Sequence, residues 1–330
     1  MDGEPLLGAR DRERIREAAA RIAPGTTLWL EEGDDGRLEA LAGFCRELAR
    51  LLPGLQIRRR PASAGSGSGL VPLERVHFLD LPRGRELPVF LELLEGAIAP
   101  AGEPLQRELA ALERPAGLTL FVAPACGFCP QVLRSLLPAV AASPWVRLQV
   151  IDAEHRPDRA AGWQIRSVPT LILEDRVRWV GAVDPREVVR VAAAQDPGEL
   201  SAASLERLLK EGEARRVAAW MVERQGLFPA LADLLCREEW PVRLGAMVTL
   251  EEIHARAPDL AARALASVEA RLPALPERVQ GDLLYLFGEI APAEFLPRLE
   301  ALAAAATGPE AKAAAREAVE ALRKKTRPGR

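Results

Sequence analysis

The stretch Leu118-Thr119-Leu120-Phe121-Val122-Ala123-Pro124-Ala125-Cys126-Gly127-Phe128-Cys129-Pro130 joins a short apolar run to two cysteines spaced as C-x-x-C. The run from Leu118 to Val122 reads as a buried strand, and beyond the cysteines Val132, Leu133, Leu136, Leu137 and Val140 fall on one face of a helix. The pair therefore sits at a strand-to-helix junction. Pro130 is tolerated there because the N–H it lacks has no partner in a first helical turn. Unpaired N–H groups and the positive end of the helix dipole stabilise a thiolate at Cys126. Two intervening residues place Cys129 where it resolves a mixed disulfide by exchange. Cys126 is thus the expected nucleophile and Cys129 the resolving thiol. The rival readings are half of a zinc site and an inert thiol pair. Tetrahedral zinc needs four ligands, no second C-x-x-C exists, and His77, His155 and His254 lack ligand spacing, so neither metal nor cofactor is expected.

Outward from the pair, a helix through Leu105, Leu109 and Leu112 precedes the strand. Strand Val146 to Ile151, a short helix ending near Trp163, strands Thr170 to Leu173 and Val177 to Val180, and a helix from Asp184 follow it. The last helix carries a strong start: Asp184 as N-cap, Pro185 at its first position, and Glu187 three residues after the cap. The order is that of an α/β sheet with helices on its faces.

This segment, Leu118 to Ala194, resembles thioredoxin-fold proteins. The likeness is carried by the element order, the C-x-x-C at a strand-helix junction, the run Ile165-Arg166-Ser167-Val168-Pro169-Thr170 before a strand, and Val180-Gly181-Ala182 before the final helix. The resemblance implies a cis Val168-Pro169 bond against the sulfurs, with the backbone at Val168 pairing with an extended substrate segment. Pro169 and Phe128 join Val168 as expected substrate-binding residues. The plain alternative is a trans proline opening a strand. Three departures from ordinary thioredoxin stand out. Ala125 replaces Trp before the first cysteine, Gly-Phe replaces Gly-Pro between the sulfurs, and Leu120 occupies the place of a buried acid. Cys-x-x-Cys-Pro behind a cysteine-poor unit looks more like the tandem glutaredoxin-like protein disulfide oxidoreductases and the N-terminal domain of the alkyl hydroperoxide reductase flavoprotein. Protein thiols or disulfides are the substrates so implied, with a reductase or peroxidase as a further partner.

Upstream, a helix with Ile15, Ala18, Ala19 and Ile22, strand Thr26 to Leu30, a helix through Leu38, Leu41, Cys45, Leu48 and Leu52, strand Leu55 to Arg59, a strand around Val76 to Leu81 and a helix through Leu91, Leu94 and Ile98 make an incomplete α/β unit. Its loop Glu31-Glu32-Gly33-Asp34-Asp35 stands where a catalytic pair would be, so this unit, residues 1–100, is expected to be a redox-dead, degenerate thioredoxin-like copy of the active unit at 101–196. Ser63 to Gly69 reads as a flexible loop, because no Gly-Lys-Ser/Thr makes it a phosphate loop. Beyond Pro197-Gly198 strand signals vanish. Ala246/Leu250/Ile253, Leu283/Phe287/Ile290 and Ala315/Val319/Leu322 each follow a proline-led start at Pro241, Pro276 or Pro309. Their recurrence at roughly 32 to 37 residues, near the about 33 to 47 of stacked helix pairs, predicts an all-α HEAT-like repeat domain over 197–330.

Composition narrows the function classes. With 44 basic and 47 acidic residues, the net charge of -3 gives no global pull toward nucleic acid or an anionic membrane. No apolar signal sequence opens the chain and no membrane span follows, so a cytoplasmic location is expected. Cys45 and Cys236 read as buried core thiols, and the basic tail Arg323 to Arg330 as solvated. The leading expectation is a thiol-disulfide oxidoreductase acting on protein substrates. The alternative is a non-catalytic scaffold whose helical repeats bind a partner.

Overall fold

Eight strands form one continuous sheet in a computed structural model that describes residues 6–63, 67–306 and 308–326. Its first half contains α1 (Ala9–Ala18), β1 (Thr27–Glu32), α2 (Leu38–Leu51), β2 (Gln56–Pro61), β3 (Gly69–Leu73), β4 (Val76–Phe78) and α3 (Leu87–Leu94). The second half contains α4 (Glu103–Leu109), β5 (Ala116–Val122), α5 (Cys129–Ala142), β6 (Val146–Asp152), α6 (Pro157–Gly162), β7 (Thr170–Leu173), β8 (Val177–Val180) and α7 (Pro185–Ala194). The strand order is β2-β1-β3-β4-β6-β5-β7-β8. In each half a strand, a helix and a parallel strand come first, and two antiparallel strands then add to the other edge of the first strand.

The cysteine-bearing half follows its hydrophobic pattern. Leu118 and Leu120 of β5 are buried, as are Val132, Leu133, Leu136, Leu137 and Val140 along α5, because helices cover both faces of the sheet. Asp184 caps α7 by accepting a hydrogen bond from the Arg186 N–H at 2.9 Å. Trp179 is buried and donates to Glu187 Oε1 at 2.9 Å. Trp163 packs on Phe121, whereas Trp145 is 40% exposed.

The first half departs from the sequence reading in two ways. It is topologically complete, because a strand that the sequence reading did not give, β3, begins at Gly69 where the Gly/Ser-rich stretch ends; residues 64–66 lie outside the described residues. Its opening glycine and Pro72 mask the signal, yet Gly69 is needed, since a Cβ there would stand 3.1 Å from the Phe78 carbonyl oxygen. The strand expected around Val76 to Leu81 is in turn only Val76–Phe78. In addition, β4 pairs in parallel with β6, from Val76 against Leu148 to Phe78 against Val150. The halves divided by sequence at residue 100 thus share a sheet and belong to one compact unit, Met1–Asp196.

The second compact unit, Pro197–Arg330, holds α8 (Ala202–Lys210), α9 (Ala214–Glu223), α10 (Leu231–Leu235), α11 (Trp240–Arg256), α12 (Pro258–Glu269), α13 (Glu277–Ile290), α14 (Leu296–Ala305) and α15 (Pro309–Thr326). Its described residues contain no strand. All three recurrent apolar triplets are buried. Arg243 is buried completely and spends its donors on Asp282 Oδ2, 2.6 Å away, and on the carbonyls of Arg237 and Glu238. Arg323, Lys324 and Lys325 belong to α15 rather than to a loose tail, with Arg323 bonded to Glu300; residues 327–330 lie outside the described residues. No helix among the described residues is long and apolar enough to cross a membrane.

Candidate redox site

The loop that leaves β5 turns tightly, with the Cys126 N–H donating to the Ala123 carbonyl at 2.9 Å, and delivers Cys129 as the first residue of α5. Cys126 and Cys129 are joined as a disulfide with a Cα–Cα distance of 5.6 Å. Their environments differ. Cys129 is fully buried, whereas Cys126 is partly exposed and presents the accessible sulfur. The Cys129 backbone N–H points at Cys126 Sγ from 3.1 Å, so the helix aims one of its unpaired donors at the place where a thiolate charge would form.

The other side of Cys126 is set by the loop before β7. The Val168-Pro169 peptide is cis, and the Val168 carbonyl oxygen lies 3.8 Å from Cys126 Sγ. Pro169 is held by its own carbonyl, which accepts from the Gly181 N–H at 2.9 Å, and Thr170 Oγ1 donates to the Ser167 carbonyl at 2.7 Å. The Val168 side chain packs on a cluster of Leu79, Phe121, Ile151 and Ile172, of which Leu79 comes from the first half. Phe128 is 70% exposed beside the pair. The residues singled out from sequence, Cys126, Cys129, Val168, Pro169 and Phe128, therefore flank two loops that meet at one sulfur.

The first half also reaches this place, which sequence patterns did not indicate. The Arg85 N–H donates to the Pro124 carbonyl at 3.2 Å, and Gly84, at φ +57°, packs so closely that a Cβ would stand 2.7 Å from that oxygen. Arg14 of α1 donates to the Gly84 carbonyl at 3.1 Å. Glu86 is buried with Oε1 unpartnered, and burial, reinforced by Asp152 and Glu154, pushes its carboxyl up to about 8. Leu120, fully buried on β5, leaves that strand without an acid. Arg156 adds a second tie between the halves, bonding Asp80 at 3.1 Å, Asp35 at 3.0 Å and the Leu79 carbonyl at 2.8 Å.

The remaining thiols are built differently. Cys45 is buried on α2 and burial pushes it up to about 12, while burial also raises Cys236. Neither is poised as a nucleophile. Among the described residues no group of three or more His, Cys, Asp or Glu could hold a metal ion.

A thioredoxin domain model matches residues 118–192. Among solved structures, the NTD_N/C domain of alkylhydroperoxide reductase AhpF from Enterococcus faecalis is 17% identical over 57% of this chain and 100% of its own, with a TM-score of 0.46. A protein disulfide oxidoreductase from Aeropyrum pernix is 16% identical over 59% of this chain and 96% of its own, with a TM-score of 0.49. No curated protein matches the sequence. The family match, the strand order and the close cysteine pair together identify a thioredoxin-like domain in this chain.

Proposed function

We propose that the protein exchanges disulfides with protein substrates through Cys126-Gly127-Phe128-Cys129. The observation that carries this reading is the position of Cys126 Sγ between the Cys129 N–H and the Val168 carbonyl oxygen. In the oxidised centre, a substrate thiolate attacks Cys126 Sγ, the Cys126–Cys129 bond breaks, and its electron pair leaves on Cys129, which takes up a proton. A second substrate thiolate then attacks the substrate sulfur of the mixed disulfide and releases the Cys126 thiolate. The substrate gains a disulfide and the centre gains two electrons; the reverse sequence reduces a substrate disulfide. Val168 and Pro169 shape the groove for an extended substrate segment, and Phe128 offers it an apolar contact. Glu86, whose buried carboxyl feels the charge of Asp152 at the end of β6, is the acid we assign to proton exchange with the resolving thiol in place of one on β5.

We read the first half as redox-silent, since its only described cysteine is the buried Cys45. The helical unit is read as a HEAT-like stack that docks a client. Lateral ties between alternate helices support this: Arg215 to Glu252, Arg243 to Asp282 and the Glu310 N–H to Glu277 join residues 37, 39 and 33 apart. Free buried thiols at Cys45 and Cys236 suit a reducing compartment such as the cytoplasm. Cys126→Ser tests the enzyme reading, because insulin reduction equal to that of the unaltered protein would falsify it.

A further inference from the structure

The first half, whose described cysteine is the buried Cys45, sends more than structural support to the exchange site. Gly84 and Arg85 lie against the loop that carries Pro124, and Arg85 Nη1 stands 3.6 Å from where a Cβ on Gly127 would be, next to Cys126 in the chain. The Arg85 side chain is exposed and, among the described residues, forms no ion pair. Its neighbour Glu86 does not neutralise it at pH 7, since that buried carboxyl keeps its proton there. A second arginine, Arg166, is exposed on the segment leading to Val168. A substrate strand lying along Val168 with its sulfur at Cys126 brings its flanking side chains within reach of the Arg85 guanidinium, whose planar donors match a carboxylate.

We propose that Arg85 is a specificity-determining residue through which the silent half selects substrates bearing acidic side chains beside the reacting cysteine. This rests on the exchange reading above. Gly84 is part of the device, because only a residue without Cβ lets the loop approach Pro124 closely enough to set Arg85 there.

The test follows reduction of the oxidised full-length protein by stopped flow with two dithiol peptides of equal length, one with Glu and one with Lys beside its cysteines, and with dithiothreitol as a small reference. The acidic peptide should react roughly 5-fold faster or more at low salt, and the preference should shrink at high salt. Arg85→Ala should bring the two peptides close to parity and Arg85→Glu should invert their order, with dithiothreitol rates within about 2-fold of the unaltered protein. Gly84→Ala, which keeps the arginine but displaces it, should also lower the preference. An unchanged peptide ratio in both Arg85 variants overturns the proposal. So does an equal fall for both peptides and dithiothreitol, which would mean that Arg85 acts on the cysteine and not on the substrate. Failure of the unaltered protein to react with dithiothreitol instead defeats the exchange reading itself, and this inference with it.

Discussion

The two halves of the sheet place different chemistry on the same topology. After β5 the chain passes through Pro124 to Phe128 into α5; after β1 it passes through Gly33 to Arg37 into α2. Before β7 stand Val168 and Pro169; before β3 stand Gly67 and Ser68. In the second half the two loops meet across the Cys126 sulfur, which stays partly exposed. In the first half they close on each other: Ser68 Oγ accepts from the Gly33 N–H at 3.0 Å and donates to its carbonyl at 3.1 Å, and a Cβ on Gly33 would stand 2.5 Å from the Gly67 carbonyl carbon. Asp35 is then tied to Arg156 of the other half. The loop pair that flanks the Cys126 sulfur in the second half corresponds to a polar seam in the first. On the proposal above, the first half is both a support and, through Arg85, a part of the exchange site.

Breaking the seam should have the largest effect. Arg156→Met leaves Asp80, a carboxyl that burial already raises, without its main counter-charge, and should cost the first compact unit about 3–5 kcal/mol in urea unfolding. A loss below about 1 kcal/mol would mean that the seam does not hold the halves together. Next, Cys129→Ser should slow catalytic turnover by about 100-fold and accumulate a substrate mixed disulfide on Cys126, visible on non-reducing gels. Replacing Cys45 in the silent half by Ala should leave turnover unchanged, and any comparable fall there would erase the contrast between the halves.

Glu86 gives a pH signature. Its folded carboxyl, at about 8, lies above the ordinary value of 4.5, so the folded state holds this proton more tightly than the unfolded chain. The contribution to stability is intact below about pH 4.5 and is lost as pH rises through the folded value near 8. Glu86→Gln should flatten that decline and, above pH 8, stabilise the protein by on the order of 1–3 kcal/mol in thermal or urea unfolding. Parallel pH curves for the two proteins would contradict the burial of a carboxyl with an unpartnered oxygen. The smallest effect belongs to Phe128→Ala: stability should change by less than about 0.5 kcal/mol, because the ring is exposed, while exchange with a protein substrate slows a few-fold.

Sequence pattern revealed the cysteine-pair half in detail because its strands and helices are long enough for apolar periodicity to register, as at Leu118 to Val122 and Val132 to Val140. The first half was harder to read. Strand β3 is short, begins at a glycine and contains Pro72, so its composition imitates the loop before it. The β4–β6 pairing that fuses the halves depends on three residues, Val76 to Phe78, whose partners lie far along the chain. Arg85 and Glu86 were illegible for a related reason. A charged pair before a helix resembles any solvated helix start, and only tertiary packing buries one of them and sets the other beside Gly127. The cysteine pair was legible because its chemistry is local, whereas Arg85 and Glu86 come from the other half.

The central claim is that α5 prepares Cys126, and no thiol of the first half, for exchange. Its most direct test is the pH dependence of Cys126 alkylation by iodoacetamide in the reduced protein. A Cys126 pKa at or below about 7.5 is the result this account predicts, well under the 8.5 of an ordinary thiol. A value at or above 8.5 would contradict it.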